Sequence, residues 1–491
     1  MQSWPSLPQD ATAAQRLQRA EELRSARETY ALNTGSNIAP LPVAEKLPKS
    51  DMPTLVWLDA AGTLALELLG NLLVKLSKLT KGGLVELIEQ EERGLERAVV
   101  GAALGELVDL HQDLSRTLSK RPMPSAPKKV SGLKGLLEAV EDKVEAKVHQ
   151  LLDPDQSSFL EELVELLGRA LKLLLSETIK TLLQYLGLYG TARQIDDFEQ
   201  LFQNIRLPNI GSNYQTDTMF AWMRVGGPNP MVIQQLRQAN PRFPVTEEDY
   251  QKALRHQGLP EDSLDAALQE GRLYIADYSG LAGVPMGTVD GLPKYMATGY
   301  ALYTVPPGQK RLAPVAIQLG AEPGHQNPVI PCSDSMQWKL AKSQIQTVDG
   351  NWHEAVSHLG QTHLVIEVSA LATHRHLPPQ HPLYVLMLPH IEGSLFINNA
   401  AVTTLIKPGG VVDKILSPTI QASTALAVQS VTGYQFEKMW VPNELASRGV
   451  ENPAKLPDYP YRDDAMLLWS VIALAAATQF SISDCGLRID D

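Results

Sequence analysis

The chain has 491 residues, 44% of them hydrophobic and 20% charged, with a formal net charge of −12. That balance argues against a nucleic-acid binder, which needs a basic face. Two cysteines, Cys332 and Cys485, are too few for a disulfide scaffold or a thiolate zinc site, and they point to a reducing compartment.

The opening residues show no basic segment followed by an apolar core. The most apolar stretch, 54–76, carries Asp59, Glu67 and Lys75, and charge at mid-span is costly in a bilayer. A cytoplasmic protein is expected. Residues 1–204 read as a helical N-terminal extension. Leu133, Leu136, Leu137, Val140, Val144, Val148 and Leu151 recur at helical spacing, as do Leu160, Leu163, Val164, Leu167, Leu171 and Leu174. The Pro-rich basic stretch at 120–129, KRPMPSAPKK, reads as a linker between helical units. Segments 81–100 and 131–148 echo one another in pattern. These helices either bury their apolar stripes in a core of their own or dock peripherally on a membrane. Their polar faces mix Glu with Lys, which disfavours anionic lipid.

From about residue 205, Pro, Gly and aromatic residues become frequent and the long helical stripes stop. GGPNP (226–230) is a turn between two apolar runs. GRLYIADYSGL (271–281) predicts a strand, and 301–319 predicts two strands around a Pro-Pro-Gly turn. Residues 337–352 predict an amphipathic helix. Lys310, Arg311 and Arg224 are read as solvated charges. No GxGxxG follows a strand, and neither a P-loop nor a G-x-S-x-G elbow occurs, which removes weight from nucleotide-dependent and serine-hydrolase chemistry.

Seven of the 11 histidines fall between 352 and 398: His353, His358, His363, His374, His376, His381 and His390. The first three are spaced by five. On an α-helix of about 3.6 residues per turn such residues sit about 140° apart and cannot share a metal. A π-turn would bring them onto one face. The spacing therefore marks either core histidines or a distorted helix that holds a metal. H-E-A-V-S-H is not the zincin H-E-x-x-H, because its second histidine comes one residue too late. A site of imidazoles without cysteines suits iron, zinc, copper or nickel. A facial triad of His353, His358 and either Glu354 or Glu367 is also chemically allowed, but neither glutamate shares the π-turn face.

Taken together, W-x-LAK (338–342), Asp349, H-x4-H-x4-H-L with Glu367, ATHRHLPPQHPLY (372–384) and I-N-x-x-A (397–401) resemble the lipoxygenase catalytic domain. FAWMRVGGPNP, GRLYIADY, VAIQL, VPNELASRGV and YPYRDDAMLLW extend the resemblance over roughly 205–470, in the family's order. The helical appendage, in place of a β-sandwich, is similar to that of bacterial lipoxygenases. The resemblance implies a mainly α fold: a large helical catalytic domain at 205–491 with a few short strands, preceded by the helical region.

It also implies a mononuclear non-haem iron held by His353 and His358 on a helix with a π-turn. His363 and Glu367 would support that site. The activity implied is insertion of O2 into the cis,cis-1,4-pentadiene of polyunsaturated fatty acids, giving hydroperoxides for oxylipin metabolism. Ala401 matches the family's Ala-or-Gly position, and Val412, Ile415 and Leu416 match side chains that close the substrate pocket. Two departures stand out. Val402 replaces a cation in the family's I-N-x-x-A-R. After LLWSVI (467–472) no further family motif follows: 473–491 contains no histidine and ends in Asp490–Asp491. The expectation is a catalytic domain incomplete at its C-terminus, truncated or frameshifted, with two ligands and exposed apolar surface. The alternative reading is a catalytically dead remnant that binds lipid or a partner.

Overall fold

The computed structural model describes residues 7–48, 51–52 and 206–479 apart from 290, together with scattered positions between 60 and 202. Contacts divide the chain into two compact units, Met1–Asp51 with Ser212–Asp491, and Met52–Gly211. The smaller unit runs past the composition change near 205 to Gly211, and residues 1–51 belong to the larger unit. In the smaller unit Leu110, Leu114 and Leu166 are buried, and Arg169 pairs with Asp113 at 3.6 Å. Apart from Leu166 and Arg169, the predicted helices at 133–151 and 160–182 lie outside the described residues. So do the linker at 120–129 and the echo between 81–100 and 131–148. No helix among the described residues is long and apolar enough to cross a membrane.

The larger unit is mainly helical with a few short strands. It begins with α1 (Ala13–Thr29), whose first turn is closed by a capping box between Thr12 and Gln15. A small antiparallel pair follows, β1 (Leu32–Asn33) and β2 (Val43–Ala44). Next come α2 (Asp217–Gly226), β3 (Ile233–Gln235), α3 (Glu247–His256), α4 (Leu264–Gln269) and β4 (Leu273–Asp277). The hairpin of β5 (Thr288–Val289) and β6 (Leu292–Pro293) leads to β7 (Tyr300–Thr304), β8 (Ala313–Gln318) and β9 (Ile330–Pro331).

Strands β3-β4-β7-β8-β9 form one antiparallel sheet in that order. Every residue of β7 and β8 is buried, as continuous apolar runs covered on both faces require. The predicted strands at 271–281 and 301–319 are these three, with Gly308 at φ +73° in the Pro-Pro-Gly turn.

Helix α5 (Met336–Trp352) is capped by Ser335, whose hydroxyl accepts from the Trp338 N–H at 3.1 Å. It continues without a break into a π-helix, π1 (His353–Leu364), and then into α6 (Val365–His376). The remaining elements are α7 (Pro382–Ile391), α8 (Ser394–Ala400), the second π-helix π2 (Ala401–Leu405), α9 (Val411–Ile415), α10 (Ile420–Thr432), α11 (Val441–Arg448) and α12 (Pro460–Gln479). Along α12, Leu467, Leu468, Val471 and Ile472 are exposed.

The reading of Arg224 as a solvated charge is overturned. It is fully buried and pairs with Asp349 at 2.7 Å. Asp349 also accepts from Tyr278 Oη and Asn229 Nδ2, both at 2.8 Å. Burial alone would lower the guanidinium's pKa; the adjacent Asp349 carboxylate outweighs it and holds Arg224 charged. The pair joins α2, the GGPNP turn and the last turn of α5. Through Ser357, which donates to Asn229 Oδ1 at 3.2 Å, it also reaches π1.

A candidate metal centre on a π-helix

Twelve consecutive residues, His353–Leu364, adopt the π conformation. Bonding of the i→i+5 type stacks residues five apart, so the H-x4-H-x4-H spacing places three imidazoles in a row. The His353 and His358 rings lie parallel, 4° apart, with centroids separated by 5.4 Å. His363 meets His358 edge-on at 4.7 Å. Two contacts support the wide helix. Thr362 Oγ1 donates to the carbonyl of Ser357, five residues back, at 2.9 Å. Gly360 lets α10 approach, since a Cβ there would fall 1.9 Å from Ser430 Oγ.

Each outer nitrogen has a partner where the row is anchored. His358 Nδ1 lies 2.9 Å from Glu354 Oε2, and His363 Nδ1 lies 2.7 Å from Asn398 Oδ1. The Asn398 amide donates in turn to the His363 carbonyl and to Glu367 Oε2, both at 2.9 Å. Glu367 Oε1 accepts from the Ala44 N–H at 3.0 Å. Both Glu367 oxygens are therefore engaged, one by the β2 backbone and one by Asn398. Burial pushes the Glu367 carboxyl up to about 7, only partly offset by its bonds from Asn398 and Ala44. Burial also lowers the His353 pKa, and His358 adds to the shift, which favours the neutral ring that metals bind.

The donor set fits an imidazole-bound metal, with outer nitrogens held by a carboxylate and an amide as such ligands usually are. As positioned, the three rings do not bring one nitrogen each within 4.8 Å of the other two. Among the described residues only Asp217, His256 and Cys332 form such a group. There the Lys342 ammonium already sits 2.6 Å from Asp217 Oδ1 and supplies the positive charge. Burial raises the Cys332 thiol pKa far out of the range in which it would ionise.

The other histidines are elsewhere. His374 stacks on Tyr30 at 4.3 Å, His381 caps α7 by accepting from the Leu383 N–H at 3.1 Å, and His376 and His390 are exposed. Beside π1, an apolar cluster joins Ala355, Val356, Leu359 and Leu364 to Val402, Val412, Leu416 and Ile38, with Ala401 against its edge. Of the four expected pocket residues, Val412 and Leu416 are members of this cluster and Ala401 packs against it. Ile415 does not: it is 65% exposed.

The family model described as lipoxygenase matches residues 124–481. The chain belongs to the lipoxygenase family. It is 32% identical to a linoleate 9/13-lipoxygenase of Pseudomonas aeruginosa, covering 97% of this chain and 66% of that one. A polyunsaturated fatty acid lipoxygenase of Homo sapiens is 34% identical, over 60% of this chain and 43% of the relative. Among solved structures, a lipoxygenase in complex with arachidonate shares the fold with a TM-score of 0.65 at 23% identity, covering 96% of this chain and 55% of that one. The coral 8R-lipoxygenase gives a TM-score of 0.53 at 30% identity, over 58% of this chain and 42% of that one. The lipoxygenase chain described here thus spans between about two fifths and two thirds of these relatives' lengths.

The expected π-turn is a full π-helix. Sequence reasoning did not find Asn398 as the partner of His363, although it lies in the I-N-x-x-A motif. Nor did it find the segment around Ile38, whose only sequence signal is a short apolar patch after a polar helix.

Proposed function

We propose that the chain is a lipoxygenase-type dioxygenase that uses a non-haem iron at the π1 histidines to insert O2 into polyunsaturated fatty acids. The observation that carries this reading is the π-helix itself. It sets His353, His358 and His363 in a row whose flank continues into the apolar cluster of Val356, Leu359, Val402, Val412 and Leu416. His353 and His358 are the ligands that the family resemblance implies.

Iron, when bound, supplies the one-electron chemistry that hydrogen abstraction and O2 addition need. The chain's part is to hold the rings by Glu354 and Asn398 and to exclude water with the apolar wall. Ala401, Val412 and Leu416 would face the fatty acid's reacting carbons.

The test is iron stoichiometry of the purified chain together with a linoleate-dependent rise in conjugated-diene absorbance. A folded, iron-loaded protein that forms no conjugated diene would overturn the reading. The second reading, lipid or partner binding without catalysis, draws on the exposed apolar residues Leu467, Leu468, Val471 and Ile472 of α12. Stoichiometric linoleate binding without O2 uptake would decide for it.

A further inference from the structure

Twelve π residues in a row have to be held in that form. π-Turns are rare and occur mostly as single turns inside α-helices, so α5 would by default run on past His353. One side chain bonds to both sides of that junction. Asn229 Nδ2 donates to Asp349 Oδ1 at 2.8 Å, four residues before it. Asn229 Oδ1 accepts from Ser357 Oγ at 3.2 Å, four residues after it. The amide cannot be turned over, because its oxygen would then face the Asp349 carboxylate.

The two bonds discriminate between the helix types. On an unbroken α-helix Asp349 and Ser357, eight residues apart, sit about 80° from one another around the axis. Here the four steps from 349 to 353 are α-helical and overshoot one turn by about 40°. The next four follow i→i+5 bonding and stop short of a full turn. Overshoot and shortfall largely cancel. Asp349 and Ser357 therefore come to one face, within reach of a single amide. Asn229 is itself fixed: it is 1% exposed, and the carbonyl of Pro230 beside it accepts from Tyr459 Oη at 2.7 Å. Its partner Asp349 is pinned by Arg224.

We infer that Asn229 is a positioning residue, whose amide selects the π over the α register at the start of π1 and so sets His353 and His358 on one face. The inference deepens the proposed function and rests on it, since the row so assembled is the one read as the metal centre. Asn229 acts on the histidines only through Asp349 and Ser357.

The experiment is a set of crystal structures of the full chain without added metal, with iron content read separately. Asn229→Ala removes both bonds. Ser357→Thr keeps the hydroxyl, and Ser357→Val has the shape of that variant without it. In the unsubstituted chain and in Ser357→Thr, the His353 and His358 rings should lie parallel with centroids 5.4 Å apart. In Asn229→Ala and Ser357→Val the first π turn should revert to α and carry the two rings about 140° apart. Iron affinity should fall at least about tenfold in the same two proteins. Ser357 is only half-buried, so its pair of variants decides the matter should Asn229→Ala fail to fold.

Parallel rings in either Asn229→Ala or Ser357→Val would overturn the inference. So would loss of the parallel pair in Ser357→Thr and Ser357→Val alike, which would trace the register to packing at position 357. Rings that swing apart as expected, in a chain that never binds iron, keep the role of Asn229 and sink the metal centre. An unsubstituted chain that binds iron, with rings and iron unchanged in Asn229→Ala, does the reverse.

Discussion

The backbone N–H of Ala44 donates to Glu367 Oε1 at 3.0 Å, across 323 residues of sequence. The bond ties β2, in the first fifty residues, to α6 just beyond the histidine row. Asn399 returns the contact by donating to the Ala44 carbonyl at 3.3 Å. These bonds, with the packing of α1 against α6, place residues 1–51 with the larger unit.

Glu367 gives a pH prediction whose sign follows from its burial. Its pKa rises from 4.5 to about 7 in the folded chain. Between those values the folded state holds a proton that the unfolded state has released. The stability from this group is therefore complete below about pH 4.5 and lost as pH rises through about 7, at most about 3 kcal/mol. Urea midpoints measured at steps between pH 4.5 and 8 should fall for the native sequence relative to Glu367→Gln. Parallel curves for the two proteins would show that the carboxyl is not the source.

The segment after α1 gives a packing prediction. Ile38 is completely buried against π1, π2 and α9, and Asn37 Nδ2 donates to the carbonyls of Val402 and Ile406 at 3.1 and 2.9 Å. Ile38→Ala should cost about 2–5 kcal/mol in urea unfolding through the cavity it leaves. Asn37→Ala strands two carbonyls at the end of π2 and should cost about 1–3 kcal/mol. Near-normal midpoints for both would mean that this segment is not part of the cooperative core.

Much of this was legible in the sequence, for different physical reasons. The strands at 273–277, 300–304 and 313–318 announced themselves as short apolar runs bounded by Gly and Pro. The histidine spacing left two readings open, core histidines or a distorted helix, and twelve π residues are the outcome. Arg224 was not legible: a guanidinium in a sequence reads as surface charge, and only Asp349, 125 positions on, reveals the burial. Asn398 and Ile38 were missed for the same reason, since the side chains they meet lie far along the chain: the partners of Asn398 are 31 and 35 residues away. Of the residues read as closing a pocket, Val412 and Leu416 lie in the apolar cluster beside π1, Ala401 packs against it, and Ile415 is exposed. Ile415 turns outward because α9 is a single short turn, and Val412 and Leu416 take its inner face.

Arg224 and Asp349 should show the asymmetry of a buried ion pair. Asp349→Leu leaves a guanidinium buried with no carboxylate beside it, and Arg224→Met strands the carboxylate. Each should destabilise by about 3–5 kcal/mol. The double variant removes both charges and should recover a large part of that loss. Thermal unfolding of the four proteins measures the coupling, and strictly additive losses would contradict it.

Gly360 couples the helix geometry to its neighbour. A methyl group there would sit 1.9 Å from Ser430 Oγ and 3.0 Å from the Ala427 carbonyl, and Ser430 is held by its own bond to that carbonyl at 2.8 Å. Gly360→Ala must push π1 and α10 apart, at a cost of about 1–3 kcal/mol in stability. The same movement displaces His358 relative to His363, so bound iron per chain should fall with it. Ser430→Ala removes the closest atom. The double variant Gly360→Ala, Ser430→Ala should therefore recover stability and iron together. Recovery of stability with iron still absent would separate the two and show that the π-helix tolerates no change in its packing partner. An unchanged iron content in Gly360→Ala would show that the histidine row does not depend on the contact with α10.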